Sequence, residues 1–137
     1  MGAWDGSVFG NDTAADWASD LVDAGSVESV VDLLSQVAAT PEDDVLDADL
    51  ACEALAAAEV VAAAAGSPVE VDEYNAEALT WGEKHPELDT KENRVLAILA
   101  AERVRAPGSE LLELWRVTDP EPGDWDNSID DLVERLS

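Results

Sequence analysis

ALAAAEVVAAAAG, residues 54–66, is the stretch that decides the fold, and it contains a single charged residue, Glu59. The pattern predicts a helix over about Ala48–Ala65 that is apolar on nearly all sides, with Asp47 as its N-cap residue and a turn at Gly66 after it. Small side chains let neighbouring segments approach from every direction. We therefore expect this alanine-rich helix to lie at the centre of the protein.

Helical periodicity also dominates the segments on both sides. Apolar residues recur at three- and four-residue spacing, and Ser26, Thr90 and Ser109 stand where helices are predicted to begin. Thr13, with Asp16 three residues later, resembles a capping box. The chain as a whole, residues 1–137, is predicted to form an all-α, single-domain bundle of about six helices with a packed irregular N-terminal segment.

Glu59 is the residue that most needs an explanation. A carboxylate in the middle of a central apolar helix requires a partner, because an isolated buried charge is costly or becomes protonated. Candidate donors are the backbone of residues 1–5, the Trp4 indole N–H, or an arginine such as Arg94 or Arg103. Glu59 is interpreted either as a buried structural anchor or as a catalytic acid or base with a raised pKa.

The opening MGAWDGSVFGNDTAADW combines glycines with large aromatic rings. We expect it to act as a latch on the central helix, with Trp4, Phe9 and Trp17 buried around the carboxylate. Asn11 and Asp12 are expected to turn the chain into its first helix. These five residues and the central carboxylate form the candidate site.

The composition is strongly acidic. Asp and Glu number 32 against 7 Lys and Arg, which gives a formal net charge of −25. Self-repulsion of this size is screened in concentrated salt, where the Debye length falls to roughly 3 Å at 1 M. The balance therefore favours a protein of a high-salt environment. An acidic surface made for a basic partner is the alternative, and the absence of a basic patch argues against nucleic-acid binding.

Other reactive groups have simpler interpretations. Cys52 is predicted to be a small buried thiol, His85 a solvated loop residue, and no cofactor or metal is expected. An acidic cluster could gather a hard cation, although its spacing is not that of an EF-hand. Its members are Asp43, Asp44, Asp47 and Asp49. Without a signal-peptide pattern or an apolar run long enough to cross a bilayer, the expected location is the cytoplasm.

Several segments resemble one family. The opening MGAW, Phe9 and NDTAADW are similar to domain-of-unknown-function family 4259, a group of small prokaryotic proteins. ALAAAEVVAAAAG and SELLELW, residues 109–115, are similar to its middle and late motifs. The chain departs from the family pattern after Trp4, where Asp5 replaces the usual glycine. The resemblance implies a helical fold and no known activity.

Two functions remain open from the sequence. The first is a non-catalytic interaction or accessory domain that binds another protein, by analogy with small acidic immunity proteins. The alternative is a hydrolase-type enzyme that uses Glu59 and nearby carboxylates, with or without a divalent cation. A deep polar pocket at Glu59 would favour the enzyme, and a sealed core with an exposed apolar patch would favour the binding domain.

Overall fold

The computed structural model describes residues 12–71, 75–118, 121 and 123–137. Over these residues it is all-helical, with seven α-helices and one 3-10 helix at Pro86–Leu88. The helices are α1 (Asp12–Ala24), α2 (Val27–Ala38), α3 (Ala48–Ala64), α4 (Ala76–Glu83), α5 (Lys91–Val104), α6 (Glu110–Thr118) and α7 (Asp124–Leu136). The expected number of about six is low by one. Two helices, α4 and α6, are short, and such helices depend on tertiary packing for their stability.

The alanine-rich helix α3 lies at the centre, as predicted. It contacts all six other helices, and an unbroken run of its residues from Ala54 to Ala63 is buried. The approach of α4 is especially close, because a Cβ atom added to Gly82 would lie 2.7 Å from the carbonyl oxygen of Val60. Although α3 is strongly apolar, neither it nor any other described helix has the length and apolar character needed to cross a membrane.

Side-chain caps fix the starts of three helices where the sequence predicts them. Ser26, Asp47 and Thr90 each accept a hydrogen bond from the backbone N–H three residues later, at 3.0–3.1 Å. These bonds satisfy amide groups that lack a partner within the helix. The N-cap predictions for α2, α3 and α5 are therefore confirmed.

Thr13 does not cap α1, so that prediction is wrong. The helix already includes Asp12, and the Thr13 hydroxyl instead donates to Asp49 Oδ1 at 3.1 Å. This bond joins the first turn of α1 to the first turn of α3. A local capping motif and a contact between helices compete for the same hydroxyl, and the contact between helices prevails here.

Candidate functional site

The carboxylate of Glu59 is held by an arginine in the core of the protein. Glu59 is 1% exposed, and its two oxygens accept hydrogen bonds from the two terminal nitrogens of Arg135 on α7. The Nη1–Oε1 distance is 2.8 Å and the Nη2–Oε2 distance is 2.9 Å. A guanidinium group matches a carboxylate in this two-pronged geometry, which combines charge with directionality. The pair joins the middle of α3 to the last turn of α7.

The remaining donors of Arg135 are also bound. Its Nε donates to Asp131 Oδ2, one helical turn earlier, at 2.8 Å. Its Nη1 also donates to the carbonyl oxygen of Ser67, in the turn that follows α3, at 3.1 Å. The side chain of Arg135 remains 16% exposed. The guanidinium group therefore lies at the outer end of the site and the Glu59 carboxylate at the inner end.

Their different depths explain how the two partners titrate. Burial raises the pKa of Glu59, and the hydrogen bonds and charge of Arg135 oppose that rise only in part. Burial disfavours the charged form of Arg135 as well, but the bonds to Glu59 and Asp131 outweigh it and raise the Arg135 pKa. The less buried arginine thus keeps its charge, whereas the carboxylate is shifted toward its neutral form.

The chemistry open to Glu59 follows from this geometry. General acid or base catalysis needs a carboxyl oxygen within hydrogen-bonding distance of a substrate proton. Both oxygens of Glu59 are bound to Arg135, and almost none of the residue is exposed. The arrangement fits an anchor between helices, or an acceptor for a guanidinium group.

An arginine was among the predicted partners of Glu59, but neither of the two arginines named for it is the one that binds, and the predicted donors in residues 1–5 lie outside the described residues. Arg94 lies 3.5 Å from Asp89 at the protein surface, and Arg103 bonds to backbone carbonyls. Arg135, 76 residues from Glu59, supplies the guanidinium group. One signal was available in the sequence: Arg135 lies at the flank of the apolar stripe of the final helix, beside Leu132 and Leu136, where a long side chain can reach the core.

Arg103 holds the loop between α2 and α3 instead. It is 6% exposed, and its guanidinium group donates to the carbonyl oxygens of Thr40, Pro41 and Asp44 at 2.6–2.9 Å. Gly108 completes this contact: its φ is +88°, and a Cβ atom added there would lie 2.5 Å from the carbonyl oxygen of Glu42 in the same loop. The sequence does not predict this arrangement, because backbone carbonyl groups leave no residue pattern.

The N-terminal part of the candidate site lies largely outside the described residues. This applies to Trp4, Phe9 and Asn11, so the latch remains a prediction. Asp12 is exposed at the start of α1, and Trp17 is half-buried and packs against the core. The two oxygens of Glu59 already have a partner in Arg135, so the carboxylate does not require the latch.

Cys52 is a buried free thiol, as predicted. Burial, reinforced by the nearby carboxylates of Asp49, Glu53 and Asp47, raises the pKa of Cys52 to about 12. The nucleophilic form of cysteine is the thiolate. The environment of Cys52 therefore suppresses its reactivity near neutral pH.

His85 is not a simple solvated loop residue, which corrects the expectation. It is half-buried, and its ring stacks on that of Trp81 with centroids 3.8 Å apart. Its Nδ1 lies 2.6 Å from the carbonyl oxygen of Trp81. The side chain thus covers the end of α4, where Lys84 and His85 follow the helix.

The acidic residues of the α2–α3 loop do not form a metal site in the described part of the chain. No group of three or more His, Cys, Asp or Glu side chains in that part has the arrangement for an ion. Asp44 accepts from the N–H of Val45, Asp47 caps α3, and Asp49 accepts from Thr13. Each of these three carboxylates therefore has its own hydrogen-bond partner, and for Asp49 that partner lies on another helix.

A shallow apolar depression lies on the solvent side of α5. It has a volume of about 480 Å³ and is lined by Lys91, Glu92, Val95, Leu96 and Leu99. Val95 and Leu99, one turn apart, are 46% and 53% exposed. We call these five residues the α5 strip. A second depression of about 420 Å³ lies between the end of α1 and α4, beside Trp81.

Together these features define a small acidic helical domain built around a buried glutamate–arginine pair. Residues 2–128 match the family model described as Domain of unknown function (DUF4259), and the chain belongs to that family. The resemblance seen in the sequence is thereby confirmed. Comparison with curated proteins and with solved structures found no match.

Proposed function

We propose that this chain is a non-catalytic interaction domain that binds another protein through the α5 strip. The observation that carries the proposal is the exposure of Val95 and Leu99 on one face of a helix whose opposite face is buried. Neighbouring exposed apolar side chains with a polar rim are typical of surfaces that bind proteins. Lys91 and Glu92 provide such a rim.

The charge around the α5 strip indicates the kind of partner. The chain has only two lysines, and one of them, Lys91, lines the strip at the first turn of α5. Its charge adds to the positive end of the helix dipole, and the described residues form no ion pair with it. The partner that fits is a protein segment with an apolar side chain next to a carboxylate.

The setting of Glu59 argues against the alternative hydrolase. A catalytic carboxylate must meet a substrate or a metal-bound water, and both Glu59 oxygens face Arg135. An enzyme would need α7 to move before every turnover. The interaction domain requires no such movement, because Val95 and Leu99 are already exposed.

A high-salt cytoplasm is the environment that we propose for this interaction. On α1, the carboxylates of Asp12, Asp16, Asp20 and Asp23 are all exposed at helical spacing. Their mutual repulsion is screened in concentrated salt. Screening also removes long-range attraction between charged proteins, so apolar contacts such as those of the α5 strip gain importance there.

The test uses wild type and two double variants as bait for binding proteins in molar KCl. Each bait carries a photo-crosslinking residue at position 92. Val95→Ser with Leu99→Ser changes the strip, and Val45→Ser with Val117→Ser changes two exposed valines elsewhere. We expect a protein to be crosslinked at position 92 of wild type and of the control variant with Val45→Ser and Val117→Ser. The variant with Val95→Ser and Leu99→Ser should lose this crosslinked protein. Equal retention by all three would contradict the proposal, as would a hydrolytic activity abolished by Glu59→Gln in a folded protein.

A further inference from the structure

The depression beside Trp81 is formed mainly by the outer side of one helix. On α4 its lining residues are Ala76, Glu77, Thr80, Trp81 and Lys84, and we call these five residues the α4 face. The other side of α4 is held in the core, where Ala78 and Leu79 are buried. Gly82 lies so close to α3 that an added Cβ atom would meet the backbone of Val60. The α4 face is therefore an outward surface on a helix whose position is fixed.

The aromatic ring of the α4 face is also held in place. His85 stacks on Trp81 with ring centroids 3.8 Å apart and an angle of 22° between the ring planes. A side chain that is already ordered loses less conformational entropy when a partner covers it. Tryptophan is among the residues that contribute most to the binding energy of protein interfaces. Trp81 is therefore suited to a contact with a second protein surface.

The α4 face carries two charges of opposite sign, Glu77 and Lys84, and both side chains are exposed. Every arginine of the chain bonds to a carboxylate or a carbonyl group of the same chain. Glu77 and Lys84, in contrast, form no ion pair with any described residue. These two charges are thus available to a partner.

The order of the residues along α4 is self-complementary. Glu77 and Lys84 are seven residues apart, which is about 10.5 Å along a helix, and the midpoint between them falls between Thr80 and Trp81. A second copy of α4 that lies antiparallel on the first is related to it by a twofold axis through this midpoint. Glu77 of each copy then lies opposite Lys84 of the other, and both copies of Trp81 lie next to the axis. A parallel arrangement would place like charges opposite each other.

We propose that two copies of this chain form a symmetric, antiparallel dimer through the α4 face. The occupant of the depression beside Trp81 is the same face of the second copy, and two pairs between Glu77 and Lys84 fix the register. Because the face is small, the dimer belongs to the class of weak interfaces and forms at high protein concentration. The α5 strip takes no part in this contact, and the dimer does not depend on it.

The acidity of the chain sets the conditions under which the dimer forms. Each copy has a formal net charge of −25, so two copies repel each other at low ionic strength. Molar salt reduces the Debye length to roughly 3 Å and screens this long-range repulsion, whereas partly buried ion pairs at a contact are screened much less. Dimerisation should therefore strengthen from dilute to molar KCl.

The test is a charge swap followed by sedimentation equilibrium in molar KCl, up to millimolar protein. For wild type we expect the average mass to rise with concentration toward that of two chains. Lys84→Glu and Glu77→Lys each replace two attractive contacts by two repulsive ones, so each should weaken the dimer about tenfold. An equal mixture of the two variants places a lysine opposite a glutamate at both ends again, and it should dimerise about as tightly as wild type.

Lys91→Glu is the matched control, because it makes the same change in net charge on the α5 strip. It should dimerise like wild type, and circular dichroism should show the same helix content for all variants, since the changed side chains are exposed. A wild type that stays monomeric at millimolar concentration would overturn the proposal. Equal weakening by Lys84→Glu and Lys91→Glu, or a mixture that dimerises no better than either variant alone, would overturn it as well. None of these outcomes bears on the partner proposed for the α5 strip.

Discussion

Replacing Arg135 by alanine leaves the carboxylate of Glu59 buried without its guanidinium partner. Removing one member of a buried ion pair costs about 3–5 kcal/mol. For 137 residues, an unfolding entropy of about 2.1 cal/mol/K per residue converts each kcal/mol into about 3.5 °C. The thermal midpoint of Arg135→Ala should therefore fall by about 10–17 °C at neutral pH.

The loss should depend on pH in a defined direction. Burial already raises the pKa of Glu59 above its ordinary value of 4.5, and removal of Arg135 removes the groups that oppose the rise. The folded variant then binds its proton more tightly than the unfolded chain does. Both proteins should lose stability as pH rises above 4.5, and the variant should lose more, by about 1.4 kcal/mol for each unit by which its folded Glu59 pKa exceeds that of folded wild type.

Urea unfolding followed by circular dichroism at pH 5 and pH 8 measures this difference. Arg105→Ala is the matched control, since Arg105 also pairs with α7 but its partner Asp130 is exposed. Such a pair is worth about 0–1 kcal/mol. Glu59→Gln should cost less than Arg135→Ala at pH 8, because the amide oxygen still accepts a hydrogen bond. Equal losses for Arg135→Ala and Arg105→Ala, or a loss for Arg135→Ala that is the same at both pH values, would refute the reasoning.

Three further predictions concern the rest of the molecule. The net charge of −25 predicts that the urea midpoint rises from dilute to molar KCl, and equal midpoints would exclude adaptation to high salt. Because burial raises the pKa of Cys52 to about 12, a thiol reagent at pH 8 should react far more slowly with the native than with the unfolded protein; equally fast reaction would place the thiol at the surface. Gly108→Ala should destabilise the fold more than Gly66→Ala in urea unfolding, since both have positive φ but only at Gly108 would the new Cβ meet backbone, 2.5 Å from the Glu42 oxygen. Equal losses would show that the loop can yield.

Local chemistry accounts for what the sequence could predict. The caps at Ser26, Asp47 and Thr90 involve residues three positions apart, so their geometry is set within one turn. The central position of α3 follows equally from its own composition, because an alanine-rich helix with no polar face must be surrounded. The burial of Glu59 and its need for a donor follow from the same segment.

The parts that depend on contacts between distant segments were not predictable. The position of Arg135 beside the apolar stripe of α7 indicates that its side chain can reach the core, but the choice of Arg135 over the other arginines depends on how α7 docks against α3, which no local pattern specifies. Arg103 was misassigned because its partners are carbonyl groups of an irregular loop. Thr13 was misassigned because a contact with Asp49 on another helix replaces the local cap.

The pair between Glu59 and Arg135 can be observed directly by NMR of the arginine side chains in the folded protein. A guanidinium group held by two carboxylate oxygens rotates slowly about its Nε–Cζ bond. We expect separate Nη signals for Arg135 at pH 7, with slow hydrogen exchange, and their loss in Glu59→Gln. A single averaged Nη signal for Arg135, unchanged by Glu59→Gln, would contradict the central claim that this carboxylate and this guanidinium group are bound to each other in the core.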